Sequence, residues 1–272
     1  MTMPKKASIT LIGCGKMGSA LLSGWIKNQV IEHALVIDPH QIPGVFDKNE
    51  PIEYFNAPPE SYKNGSDFLI IAIKPQILKD VGSKIAKTLP KEIPILSIAA
   101  GQSLNTLESI FGSSRAIIRS MPNTPAAIGK GISVCIPNDH ITETQKELAQ
   151  DLLETSGRVE WIEDETLMDA VTALSGSGPA YIFHLIEILE KSGIELGLSP
   201  EMAGTLARQT VIGSAALAEN ENQKPASVLR ENVTSPGGTT EAALSILMDG
   251  RAQDIFNEAL NAAKTRSQEL NS

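Results

Sequence analysis

Ser8-Ile9-Thr10-Leu11-Ile12-Gly13-Cys14-Gly15-Lys16-Met17-Gly18 is an apolar, strand-forming run that passes directly into three glycines spaced G-x-G-x-x-G. A helix is expected to follow to about Lys27, with Ala20, Leu21, Leu22, Trp25 and Ile26 as its apolar face. A second strand, Ala34-Leu35-Val36-Ile37, then ends on Asp38. Strand, glycine turn, helix and strand make a βαβ unit of the dinucleotide-binding kind. The first two glycines permit a tight turn and close approach of a pyrophosphate, the third lets helix and strand pack, and the helix N-terminus favours negative charge. Gly13, Cys14, Gly15, Lys16, Met17 and Gly18 are therefore candidate cofactor-binding residues, a plain glycine-rich turn being the alternative. Asp38, twenty positions after Gly18, is placed to hydrogen-bond the adenosine ribose and to repel a 2′-phosphate, which leans the cofactor toward NADH. Protonated His40 would offset that repulsion, although a lone loop histidine is commonly just solvated.

Further strands and helices follow outward from this unit. Residues 68–73 are a continuous apolar run, as a central parallel strand covered on both faces requires, and end in Lys74-Pro75-Gln76. Ala72, Lys74 and Pro75 stand where a doubly wound sheet presents its crevice; for Lys74 the alternative is a solvated strand-end lysine. A helix is expected over 76–89, and another strand with a small-residue turn over 93–101, where Ala99 and Ala100 leave room for a flat ring against the backbone or simply pack. Residues 116–119 lead into Ser120-Met121-Pro122-Asn123-Thr124-Pro125-Ala126, in which Asn123 offers a donor and an acceptor suited to a carboxamide or serves as a turn former. Strands over 131–136 and 158–162 flank a helix over 142–155. Beyond Glu163 the strand pattern stops, and helices are expected over 164–174, 179–196, 200–220 and 240–270, the last broken at Gly250. The fold class predicted is an α/β Rossmann-type N-terminal domain, 1–163, with an all-α C-terminal domain, 164–272.

Composition narrows the function. With 42% hydrophobic and 20% charged residues the chain has the makeup of a soluble globular protein, and no apolar stretch reaches the ~18 residues of a membrane span. A cytoplasmic location and no membrane partner are expected. Cys14 and Cys135 stand far apart and the four histidines are scattered, which suggests neither a disulfide scaffold nor a metal site. The formal charge of -9 argues against nucleic acid as a partner, so an anionic ligand must be held by local groups.

Such groups are offered by Arg230-Glu231-Asn232-Val233-Thr234-Ser235-Pro236-Gly237-Gly238-Thr239-Thr240. Helical spacing from Glu241 onward makes this turn a helix entrance, where backbone N–H groups lack partners and suit a carboxylate. Ser235, Gly237, Gly238, Thr239 and Thr240 are the candidate substrate-binding residues; a capped turn is the alternative. The small residues Gly204, Ala207, Gly213, Ala215, Ala216 and Ala218 in 200–220 allow close helix approach, either to a second subunit or within a monomeric bundle.

Together with Ala72-Ile73-Lys74-Pro75 and Ser175-Gly176-Ser177-Gly178-Pro179-Ala180-Tyr181, these motifs resemble the pyrroline-5-carboxylate reductase family over nearly the whole chain. Ser-Pro-Gly-Gly-Thr-Thr after a helical domain is the most specific of them. The resemblance implies reduction of the C=N bond of 1-pyrroline-5-carboxylate to L-proline by NADPH or NADH, the last step of proline biosynthesis. It places the substrate carboxylate on Ser235 and the N–H groups of Gly237 and Gly238, and gives Thr240 the catalytic role, at the ring nitrogen. It also implies a homodimer interlocked through C-terminal helices, with a decamer of dimers as the larger assembly. Asp38-Pro39-His40 departs from NADPH-preferring members, which commonly carry small or basic residues there. Two rivals remain: a β-hydroxyacid-type dehydrogenase, whose catalytic lysine would have to be Lys191, and a nucleotide-binding redox sensor without turnover.

Overall fold

The computed structural model describes residues 6–40, 50–58 and 65–271. Among them eight strands form one sheet in the order β3-β2-β1-β4-β5-β6-β7-β8. They are β1 Ala7–Ile12, β2 Ile31–Ile37, β3 Ile52–Phe55, β4 Phe68–Ile71, β5 Ile95–Ser97, β6 Ile117–Met121, β7 Gly131–Pro137 and β8 Gly157–Trp161. The first six run parallel, β7 returns antiparallel to β6, and β8 is parallel to β7. Helices α1 Lys16–Lys27, α2 Pro75–Thr88, α3 Leu104–Phe111 and α4 Glu143–Glu154 cover the two faces.

The alternation of side chains along the strands explains why the central ones carry so few polar residues. Ile9 and Leu11 of β1 and Phe68 and Ile70 of β4 pack in one cluster with Leu21, Leu22 and Trp25 of α1 and Leu152 and Leu153 of α4. Ile12, Leu69 and Ile71 point the other way, to Leu78 and Ile85 of α2 and Leu107 and Phe111 of α3. Trp25 Nε1 donates to the Leu152 carbonyl at 2.8 Å, which satisfies the buried indole and ties α1 to α4. Strand order reverses between β1 and β4, so their carboxyl ends flank the crevice in which such sheets bind ligands.

Several boundaries differ from expectation. The strand expected over 68–73 ends at Ile71: the Ala72 N–H makes a last rung to the Ile12 carbonyl at 2.8 Å, and the chain must then turn, since Lys74 is already the N-cap of α2 and Pro75 its first residue. β3 and α3 were not foreseen; β3 has only half-buried or exposed residues, and α3 is eight residues long. Residues 164–174 do not form one helix. A 3₁₀ turn, Glu165–Leu167, leads into α5 Met168–Val171 and then a π-helical turn, Thr172–Gly176, closed by the Ser177 N–H donating to the Thr172 carbonyl at 2.9 Å.

The chain divides into two compact units, one running to Ser177 and taking in the residues from Ala263, the other Gly178–Ala262. Within the first, Ser267 Oγ of the C-terminal segment donates to Asp169 Oδ1 at 2.7 Å. The second is all helical. Its α6 Gly178–Glu195 and α7 Pro200–Asn220 form a hairpin, turned at left-handed Gly197 and capped by Ser199, which accepts the Met202 N–H at 3.3 Å. Short α8 Ala226–Asn232, unforeseen, precedes α9 Thr239–Leu247, and left-handed Gly250 separates α9 from α10 Arg251–Asn271. Among the described residues no helix is long and apolar enough to cross a membrane.

Candidate functional site

Each glycine of the fingerprint has a separate physical reason. Gly13 has φ 93°, and a Cβ there would lie 2.7 Å from the Ala72 carbonyl oxygen. A Cβ on Gly18 would lie 2.2 Å from the Gly13 carbonyl oxygen, so the first turn of α1 can sit on the loop only with glycine. Gly15 has nothing within 4 Å of such a Cβ, which is the clearance a pyrophosphate needs. It is also the N-cap of α1, where no side chain caps the helix and the first turn holds no acidic residue. The N–H groups of Lys16 and Met17 are therefore not served by a capping side chain. These features fit a dinucleotide phosphate.

The neighbouring strand ends lie level with this turn: Ile12 is in register with both Ile37 and Ile71, and Ile71 with Ser97. Asp38, Gly13, Ala72 and Ile98 thus form the next row, from which Lys74 opens α2 as another N-cap without a side-chain bond, followed by Pro75. Lys74 is exposed, Ala72 half-buried, Ala99 buried and Ala100 exposed. Asp38 does more than stand at a strand end. Its carboxylate accepts the Cys14 N–H at 2.6 Å and the His40 N–H at 2.8 Å, so it braces the fingerprint loop from β2. Burial first, and the Asp38 charge second, push the Cys14 thiol up to about 11, which makes it a packing group rather than a nucleophile.

Asn123 has its amide engaged within the protein. Nδ2 donates to the Ser175 carbonyl at 3.1 Å, and Oδ1 accepts the Ile132 N–H at 3.0 Å. The side chain ties the loop after β6 to β7 and to the π-helical turn, where Gly176 passes so close to Met121 that a Cβ would meet its methyl at 2.5 Å.

In the second unit the turn before α9 is compact. The Gly238 N–H donates to the Ser235 carbonyl at 3.0 Å, and Gly237 takes the left-handed φ of 69°. Gly238 is the N-cap of α9, with no capping side-chain bond, so Thr239 and Thr240 occupy the first two helical positions. Thr240 is half-buried; Ser235, Gly237 and Thr239 are exposed. Thr240 stands two positions past the place a capping side chain occupies. Lys191, the residue required by the rival dehydrogenase reading, is exposed on α6.

Three contacts were not anticipated. Tyr54 Oη donates toward the carbonyls of Asp38 and His40, and without β3 foreseen nothing pointed to it. Glu165 Oε1 accepts from Arg119 Nη1 at 2.6 Å and from the Leu104 N–H at 2.8 Å, joining the middle of β6 to the start of α3. Glu241 Oε2 accepts the Gly237 N–H at 2.7 Å; its spacing after Gly238, that of a capping-box glutamate, was the available signal.

Known proteins are similar to this chain in sequence and in fold. The family model described as pyrroline-5-carboxylate reductase dimerisation matches residues 165–270, and one described as NADP oxidoreductase, coenzyme F420-dependent, matches residues 8–101. The pyrroline-5-carboxylate reductase of Pseudomonas aeruginosa is 39% identical over 269 residues, covering 96% of each chain. Among solved structures, that of the Coxiella burnetii pyrroline-5-carboxylate reductase superposes with a TM-score of 0.91 at 32% identity, covering 98% of this chain and all of the other. The Plasmodium falciparum pyrroline carboxylate reductase with NADP bound gives 0.82 at 31% identity, covering 98% of each. The chain belongs to the pyrroline-5-carboxylate reductase family.

Proposed function

We propose that this protein reduces 1-pyrroline-5-carboxylate to L-proline with NADPH or NADH, residues 1–163 serving as the dinucleotide-binding domain and 164–272 as the helical substrate-binding and dimerisation domain. The observation that carries the reading is the Ser235–Thr240 turn: it opens on a helix start whose N-cap is a glycine and whose Gly237 N–H already holds a carboxylate oxygen, in a chain whose family reduces a cyclic imino acid. A reduced nicotinamide, when bound, supplies the hydride that the C=N carbon accepts, while the ring nitrogen takes one proton. The protein's work is then binding, orientation and exclusion of water.

Gly13, Cys14, Gly15, Lys16, Met17 and Gly18 hold the pyrophosphate through backbone N–H groups, and Asp38 takes the adenosine ribose while bracing the Cys14 N–H. Ala72, Lys74 and Pro75 form the opposite lip, and Ala99 and Ala100 leave space for the flat ring. Asn123 contributes by fixing its loop, since its amide is already tied to Ser175 and Ile132. Ser235, Gly237, Gly238 and Thr239 receive the substrate carboxylate, and the Thr240 hydroxyl hydrogen-bonds the ring nitrogen, steadying the iminium or passing it a proton through water. Free, buried Cys14 and Cys135 suit a reducing compartment, and we place the enzyme in the cytoplasm. The assembly unit is a homodimer, with a decamer of dimers as the larger form. Loss of reduced-nicotinamide absorbance on adding 1-pyrroline-5-carboxylate, measured with each cofactor, tests the reading; no loss with either refutes it and leaves the redox-sensor alternative.

A further inference from the structure

We infer that Glu241 is an internal competitor for the substrate's carboxylate, a residue that sets substrate affinity by occupying a donor the substrate must win. The inference rests on the proposed role of the Ser235–Thr240 turn. Gly237, at φ 69°, holds its N–H at that turn, and the group it donates to is a carboxylate: Glu241 Oε2, at 2.7 Å. A carboxylate side chain on this N–H presents the same oxygen chemistry as the carboxylate of a small imino acid. Glu241 stands in the first turn of α9, close to the N-terminal partial charge that makes the place attractive to any anion.

Two consequences follow from charge and geometry. A substrate carboxylate arriving at Gly237 and Gly238 meets the Gly238 N–H held by the Ser235 carbonyl at 3.0 Å and the Gly237 N–H held by Glu241, and of these two competitors only Glu241 adds a like charge, which raises the substrate concentration needed for half-saturation. Glu241 also lines a groove of ≈ 340 Å³ together with Arg230, Glu231, Leu244 and Met248, space into which its side chain would have to move when substrate displaces it. Arg230 is the cation of that groove, at present paired with Glu231 at 3.4 Å. The contact with substrate is the same before and during hydride transfer, so the competition acts on KM and much less on kcat.

Glu241→Gln is the decisive variant, since it removes the charge and keeps an oxygen able to accept the Gly237 N–H. Steady-state kinetics with 1-pyrroline-5-carboxylate at saturating cofactor should give a KM about 3- to 10-fold below wild type, the scale of one charge-assisted hydrogen bond at a water-screened surface, with kcat moving less than KM. A KM equal to or above wild type overturns the inference, because a glutamate that only staples the turn would loosen the site when altered. Should Glu241→Gln not yield folded protein, Glu241→Asp, whose carboxylate is withdrawn by one methylene, is read in the same way. Absence of turnover in the wild type would overturn the functional reading, and this inference with it. Wild-type turnover without the fall in KM overturns the inference alone.

Discussion

Asp38 joins two tasks that pull against each other. Its charge repels a 2′-phosphate, yet its oxygens accept the Cys14 and His40 N–H groups and so shape the phosphate-binding turn. Asp38→Ser is expected to raise the NADPH/NADH ratio of kcat/KM, while raising KM for both cofactors because the Cys14 N–H loses its acceptor; an unchanged ratio would refute the ribose assignment. The acid was legible in the sequence as the end of the second strand, whereas its bond to the fingerprint loop was not, because a contact across 24 positions depends on strand register. Asn123 shows the same limit. Its residue type advertises a donor and an acceptor, and only the packing of β7 and the π-helical turn determines that both are used internally. The two thiols give a second test at this scale. Burial pushes Cys14 up to about 11 and Cys135 to about 12, from an ordinary 9.0. Above pH 9 an unfolded chain releases these protons while the folded protein keeps them, so their contribution to stability is full below 9 and declines as pH rises toward 11. At pH 8 alkylation of native Cys14 should run about a hundredfold slower than in urea, from its thiolate fraction alone; equal rates would show the loop to be open.

The elements that sequence makes plain are those whose pattern is local. β1, α1, β2, α2 and α7 announce themselves through glycine spacing, apolar runs and capping residues, and α7 begins and ends where Ser199-Pro200 and the helical spacing predict. β3 is legible only from its neighbour, since its residues are at most half-buried, and the π-helical turn only from Asn123 and Met121, which lie some fifty residues earlier. For the candidate site, α9 is the decisive element. Its N-cap is Gly238, and Thr240 stands at the second helical position, past the place where a hydroxyl caps. Thr240→Ala should therefore leave the melting temperature nearly unchanged and lower kcat on the order of 30- to 1000-fold, the usual cost of one preorganised donor at a reacting centre. Thr240→Ser, which keeps the hydroxyl, should recover a large part of that loss. A Thr240→Ala enzyme with wild-type kcat and a lowered melting temperature would return the residue to the role of a structural threonine.

At the scale of the molecule, the two units are unequally buried. The sheet unit hides its apolar side chains in two clusters, while α6, α8 and α9 have no fully buried residue and α7 has only Ala203 and Ala207. Phe183, Ile188, Ile212, Leu217, Ile255 and Phe256 are all more than a third exposed, large apolar side chains that the helical unit by itself leaves uncovered. The small residues of α7 divide accordingly. Near its start, Ala203 packs against Gly193 of α6, where an added Cβ would lie 3.2 Å from it; near its end, Gly213 has nothing within 4 Å and Ala215, Ala216 and Ala218 are exposed. We expect that second half to lie against a partner subunit, and Gly213→Leu separates the two ways a small residue can matter. Within one chain the new side chain meets open space, and replacing glycine inside a helix gains roughly 1 kcal/mol of helix propensity. Against a closely packed partner helix it costs ~1–3 kcal/mol of overpacking at each copy of the contact. The two effects have opposite signs, so the variant should fold with normal helicity yet show a smaller particle mass by light scattering and a concentration-dependent melting temperature. A particle of unchanged mass, melting at or above the wild-type temperature, would place the subunit interface elsewhere on the helical unit.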